Sequence, residues 1–211
     1  MKKRKVPASV KDPKLLEYRR NQIIKASVRL IKEKGYHRTT TREISKESGF
    51  SIGALYEYIG KKEDVLFLVC DYIYDEVNER LESNLDTTKL KGIERLKVVI
   101  SSYFRVVDGL QDEIIIMYQD VKALPKDALL YVLNKNNLMM ESIEKVIREC
   151  VAEKIIDLNE KQIKLTAHNI IISGHMWAFR RWALKELYTI DEYIDLQTDQ
   201  LLLGLLRQNE K

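Results

Sequence analysis

Helix breakers are scarce in this chain: eight glycines and three prolines punctuate 211 residues. An all-β sandwich or barrel needs many tight connections, each drawing on turn-forming residues for its backbone angles. The scarcity excludes such a fold and points to an all-α chain. A composition of 45% hydrophobic and 32% charged residues gives the helices enough apolar surface for a core, which excludes disorder as the main state.

The apolar pattern places the helices. Within 14–34, Leu16, Ile23, Ile24, Leu30 and Ile31 recur at spacings of seven, with Ser27 one turn between, before Gly35 ends the stripe. Thr40-Thr41-Arg42-Glu43 has the form of a reciprocal cap, in which the Thr40 hydroxyl accepts from the Glu43 amide and the Glu43 carboxylate accepts from the Thr40 amide. A short helix should run to about residue 48, where Gly49 can take the left-handed conformation that stops it. Phe50 is expected in the core, and Ser51 should cap a second short helix to about residue 59. Val65, Leu66, Val69, Ile73, Val77 and Leu81 then keep a helical period up to the polar stretch 86–88. Further helices are expected over 90–107, 111–124, 125–154, 159–188 and 190–208, with Pro125 suited to a first turn and Thr189 to a cap.

Apolar runs such as 114–118 and 201–206 fall well short of the roughly 20 residues that span a bilayer. No membrane partner is expected. Lys2, Lys3, Arg4 and Lys5 could imitate the start of a secretion signal, but residues 7–14 supply no apolar segment behind them, so a cytoplasmic location is expected. Cys70 and Cys150 stand alone inside helical patterns and read as reduced core residues.

Charge divides the chain. Residues 1–62 carry 17 Lys+Arg against 6 Asp+Glu, net +11, and the remainder carries 19 against 26, net −7. The first part wants a polyanion. Two short helices joined by a glycine-containing turn, behind a supporting helix and inside this basic segment, outline a helix-turn-helix whose second helix enters a major groove. On that helix Leu55 and Ile59 lie four apart and should point inward, leaving Gly53, Ala54, Tyr56 and Tyr58 outward. Small residues permit close approach to base edges, and tyrosine hydroxyls can donate to phosphates.

These residues carry a family resemblance. Gly35-Tyr36, Thr40-Thr41-Arg42-Glu43-Ile44, Ser48-Gly49-Phe50-Ser51, Gly53-Ala54-Leu55-Tyr56 and Lys62-Glu63 resemble the N-terminal domain of TetR-family transcriptional repressors, over about residues 20–66. The resemblance implies DNA contacts from Thr41, Arg42, Ser51, Gly53, Ala54, Tyr56, Tyr58 and Lys62, with Thr40 at the cap beside them. It implies a double-stranded operator, and Lys2, Lys3, Arg4 and Lys5 would form an arm along the backbone or in a minor groove. Ile52, Glu57 and Lys61 depart from the family's usual residues, and Glu57 would repel phosphate unless it reads a cytosine amine or pairs with a lysine.

The domains implied are 1–62 for DNA binding and 63–211 for effector binding and dimerisation. In the second, Ile163, Ile170, Ile171, Met176, Trp177 and Phe179, then Ile194, Leu201, Leu202, Leu205 and Leu206, make the last two expected helices apolar on more than one side. Such helices must be covered twice. A homodimeric four-helix bundle would do so and would present two heads to half-sites about 34 Å apart. Trp177, Arg180 and Arg181 are expected on one helical face, where the arginines can pair with an internal acid such as Glu186 or Asp120, or anchor an anionic effector.

His175, Tyr103 and Tyr118 are further candidates for an effector pocket, although Tyr103, Tyr118, Tyr131, Met139 and Met140 fit a core as well. Phe179-Arg180-Arg181-Trp182, Leu124-Pro125 and Asp191-Glu192-Tyr193 are similar to regulators that respond to acyl-CoA thioesters, so the effector expected is apolar or acyl-CoA-like, with no resident cofactor. His168 and His175, seven residues and about 10 Å apart along a helix, are too distant to share a metal. No catalytic motif occurs, and no enzymatic role is expected. The competing reading is a helical small-molecule carrier or enzyme whose basic N-terminus meets an anionic partner other than DNA.

Overall fold

The structure, a computed structural model, describes residues 6–87 and 90–206. Among them the chain is all-α: α1 Pro13–Lys34, α2 Thr41–Glu47, α3 Ile52–Tyr56, α4 Lys62–Thr87, α5 Gly92–Gly109, α6 Gln111–Asp120, α7 Lys126–Ala152, α8 Glu160–Phe179, α9 Arg181–Leu187 and α10 Ile190–Leu206, with a 3-10 turn at Val121–Ala123. No helix among the described residues is long and apolar enough to cross a membrane. Lys2, Lys3, Arg4 and Lys5 lie outside the described residues.

Local chemistry explains most boundaries. Asp12 accepts from the Lys14 and Leu15 amides at the start of α1. Asn159 and Gln162 cap α8 reciprocally, as Thr189 and Glu192 cap α10. Leu124 is extended, as a residue before proline must be, and this ends the expected 111–124 helix early, at Asp120 and the 3-10 turn. The Pro125 carbonyl then accepts from Leu129 as α7 begins.

Two expectations are corrected. The 159–188 segment is not one helix: Arg180 leaves helical geometry at φ −108°, ψ 20°, and α9 restarts beyond it. No glycine or proline marks the break. It accompanies tertiary packing, because the Trp177 and Tyr193 rings meet at 4.9 Å and the Tyr193 hydroxyl donates to the Ser173 carbonyl at 2.6 Å, drawing α10 against the end of α8. Phe50 is half-buried instead of fully enclosed: its ring meets Tyr58 at 5.6 Å, and the Arg19 guanidinium lies over it at 5.4 Å.

The chain divides into two compact units, Met1–Ile73 with Asp112–Asn134, and Tyr74–Gln111 with Lys135–Lys211. In the first, Ile23, Ile24, Ile31, Ile44, Leu55, Ile59, Leu66 and Phe67 are buried, and the Phe67 ring lies against Tyr131. In the second, α5 packs against α8 and α10, and Leu96, Ile100, Tyr103, Phe104, Ile163, Ile170 and Trp177 are buried. Cys70 and Cys150 are buried free thiols, as expected, and burial pushes them up to about 12 and about 11.

Candidate nucleic-acid interface

The cap at α2 forms in full. The Thr40 amide donates to Glu43 Oε2 at 2.9 Å and the Glu43 amide donates to Thr40 Oγ1 at 3.3 Å. Lys34 also pairs with the Glu43 carboxylate, and hydrogen bonds from Lys34 and Thr40 hold that carboxyl down at about 2. The turn into α3 uses Gly49 at φ 77°, a left-handed position where a side chain would be strained. Ser51 accepts from the Ala54 amide at 3.1 Å and so starts α3. Caps of this kind contribute about 1 kcal/mol each, which matters for helices this short.

Leu55 and Ile59 are fully buried, as their spacing predicts, and they orient the remainder of α3 outward. Tyr56 is 48% exposed, and its hydroxyl sits 3.2 Å from Thr41 Oγ1, so α2 and α3 present two hydroxyls at one point of the surface. Thr40, Arg42, Ser51, Ile52 and Gly53 are exposed; Thr41 and Ala54 are half-buried.

Tyr58 is a correction: it is 7% exposed, with its ring 5.6 Å from Phe50. The helix ends at Tyr56, where the Glu57 and Tyr58 amides bond back only three residues, and this tighter turn swings Tyr58 inward. Its side chain is therefore not on the outer face.

Lys62 is half-buried, donates to the His37 carbonyl at 3.2 Å, and lies 4.3 Å over the Tyr36 ring. Burial lowers its pKa. These contacts hold the ammonium at the first turn of α4. The spacing pattern missed Arg20, whose guanidinium donates to the carbonyls of Val6 at 2.8 Å and Tyr58 at 3.0 Å. Ser9 adds an amide bond to the Glu57 carbonyl, so the segment before α1 is tied to the end of α3. No sequence signal separates Arg20 from the other charges of α1, because its role depends on carbonyls 14 and 38 residues away.

The candidate effector residues separate. Tyr103, His175 and Trp177 are buried in one unit, where Tyr103 Oη lies 2.6 Å from His175 Nε2. Trp177 Nε1 donates to Asp108 at 2.7 Å, and Lys185 approaches the same carboxylate at 3.7 Å. Asp108 and Lys185 are thus the charged groups beside Trp177, in place of the expected arginines. The break at Arg180 removes the common face: Arg180 is exposed and stacks over Trp182 at 5.0 Å, and Arg181 begins the next helix. Tyr118 is about half exposed, at 48%, and belongs to the other compact unit. Seven-residue stripes remain exposed on α8, at Leu165, Ile172 and Phe179, and on α10, at Leu196 and Leu203. No metal-binding group of His, Cys, Asp or Glu occurs among the described residues.

Known proteins agree with this outline. The profile of bacterial regulatory proteins of the tetR family matches residues 23–69. The HTH-type transcriptional regulator HbdR of Aromatoleum sp. (strain CIB) is 32% identical over 191 residues, covering 90% of this chain and 82% of HbdR. Among solved structures, AibR in complex with isovaleryl coenzyme A and operator DNA superposes with TM-score 0.73 at 20% identity, covering 86% of this chain and 97% of AibR. The fatty acid degradation regulator FadR from Bacillus halodurans does so with TM-score 0.70 at 20% identity, covering 92% and 96%. These two likenesses concern the fold. The relationship to HbdR spans most of both chains and displaces the carrier or enzyme reading. With its capped α2, exposed α3 and basic first segment, the chain belongs to the TetR family of bacterial regulatory proteins, as a DNA-binding transcriptional regulator and not an enzyme.

Proposed function

We propose that the protein is a cytoplasmic repressor that binds a palindromic operator as a homodimer and leaves it when a small apolar or acyl-CoA-like effector binds. The observation that carries the reading is the Tyr56 hydroxyl exposed beside Thr41 over a fully buried Leu55. That arrangement gives a rigid outer face for a major groove, with hydroxyls for phosphates and Gly53 and Ala54 where bases approach.

In this reading residues 1–62 hold DNA through Thr40, Thr41, Arg42, Ser51, Gly53, Ala54, Tyr56 and Lys62, with Lys2, Lys3, Arg4 and Lys5 as an arm. Residues 63–211 dimerise and hold the effector near Tyr103, His175 and Trp177. A second copy covers the stripes on α8 and α10, which repeat every seven residues as helix-bundle seams do. A fold neighbour solved with isovaleryl coenzyme A and operator DNA supports a CoA thioester as the effector type.

Release requires that the effector favour the conformation that does not fit the operator, with coupling of about 1–3 kcal/mol. Footprinting on genomic fragments tests the reading: one protected palindrome, lost on adding an acyl-CoA, is expected. Sequence-blind retention that disappears with salt would overturn it.

A further inference from the structure

Beyond the apolar interior of the second unit, α5 presents a polar face. Glu94, Lys97, Val98, Ser101, Ser102 and Arg105 recur at three- and four-residue spacings along it, and with Arg80 of α4 they line a cleft of about 450 Å³. That size lies within the range of small-molecule sites. The charge is out of keeping with its surroundings: residues 63–211 carry a net −7, whereas the cleft is lined by three cations and one carboxylate.

Each cation has a carboxylate partner at its side: the half-buried Glu76 for Arg80 at 3.4 Å, and the exposed Glu94 for Lys97 at 2.8 Å and Asp191 for Arg105 at 2.7 Å. Of these carboxylates only Glu94 lines the cleft. Exposed pairs of this kind contribute little, so they hold the side chains in place without competing strongly with a multiply charged ligand. Arginine retains further donors in its planar fork, and Ser101 and Ser102 add hydroxyls from the floor.

We propose that this cleft binds the phosphate groups of a nucleotide-type ligand, with Arg80, Lys97 and Arg105 as charge partners and Ser101 and Ser102 as hydroxyl donors. A CoA thioester and a free nucleotide share that chemistry. The proposal deepens the effector reading by naming where the phosphates are held, and it rests on that reading only for their source. Ser102 is followed by Tyr103, which meets His175 of α8, so a ligand in the cleft acts on the helix that forms the candidate effector core.

Isothermal titration of the full-length protein with adenosine 3′,5′-bisphosphate, octanoyl-CoA and octanoate tests this at two salt concentrations. The bisphosphate is expected to bind, more weakly at high salt, and to lose about tenfold or more in a Lys97→Ala/Arg105→Ala variant that melts like the wild type. Asp191→Asn, which removes the competing carboxylate and leaves the cation, should tighten binding. No bisphosphate binding, equal binding to the double variant, or weaker binding to Asp191→Asn would each overturn the proposal.

The sources separate by competition: octanoyl-CoA displacing the bisphosphate identifies a thioester ligand, and failure to displace it identifies a free nucleotide. Octanoyl-CoA that binds wild type and double variant alike, with no bisphosphate binding to either, would leave the effector reading standing and overturn the cleft. Bisphosphate binding that depends on Lys97 and Arg105, with operator release unmoved by octanoyl-CoA, would uphold the cleft and overturn the effector reading.

Discussion

Tyr103 Oη and His175 Nε2 lie 2.6 Å apart, joining α5 to α8 in a buried cluster that also holds Phe104 and Tyr193. Burial lowers the His175 pKa to about 4, so the ring is neutral in the fold at physiological pH. A free imidazole takes its proton near 6.5. The unfolded chain therefore binds one proton more than the folded chain between those values, and stability falls as pH drops through that window. The full effect is about 3 kcal/mol. Urea unfolding at pH 7.5 and 4.5 should show this loss in the wild type and a smaller one in His175→Asn; equal losses would count against it.

Gly174, next to His175, allows α8 to approach α5 closely. A Cβ there would stand 2.7 Å from Tyr103 Cε1 and 3.0 Å from Phe104 Cδ1, both on rings that are themselves buried. Gly174→Ala should cost about 1–3 kcal/mol through overpacking, read as a lower unfolding midpoint with an unchanged denaturant slope. A neutral result would mean that the two helices separate more easily than this packing implies.

Tyr56 and Tyr58 should fail in different assays. Tyr56→Ala is expected to weaken operator binding about tenfold or more while leaving the melting temperature near its original value, because the side chain is exposed. Tyr58→Ala removes a buried ring and should cost about 3–5 kcal/mol of stability. Fluorescence anisotropy on a labelled operator, paired with thermal melts, separates them.

Arg20 ties the segment preceding α1 to the end of α3 through three bonds to the Val6 and Tyr58 carbonyls. Removing the guanidinium strands acceptors that are partly buried, so Arg20→Ala should destabilise by about 1–3 kcal/mol. Hydrogen exchange should accelerate over residues 6–12. Unchanged protection there would show that Ser9 alone holds the segment.

Ile172 is 54% exposed at the centre of the α8 stripe. A glutamate at that position would place a charge in the centre of the proposed dimer seam, where charged residues are disfavoured. Light scattering after size exclusion should report a dimer for the wild type and a monomer for Ile172→Glu. A dimer in both would place the seam elsewhere.

The sequence made the reading head legible because its signals are local. A cap between residues three apart, a glycine at one left-handed position, and inward residues four apart are interactions within a turn or two of backbone, so residue types alone predict α2, the turn and the start of α3. The end of α3 was not legible to that logic. Helical periodicity carried on through Ile59, but the chain tightened after Tyr56 and turned Tyr58 onto Phe50.

By itself, the amino-acid order determined an all-α chain, a basic first segment, a capped helix-turn-helix and an acidic remainder ending in strongly apolar helices. Only the tertiary structure decided that α8 stops at Phe179, that Trp177 bonds Asp108 and not an arginine partner, that Arg20 reaches across to Tyr58, and that three cations gather in a cleft of an acidic region. The reason is range. Capping and periodicity are satisfied between neighbours along the chain, whereas burial, ring packing and charge juxtaposition depend on groups brought together from 16 to 86 residues apart.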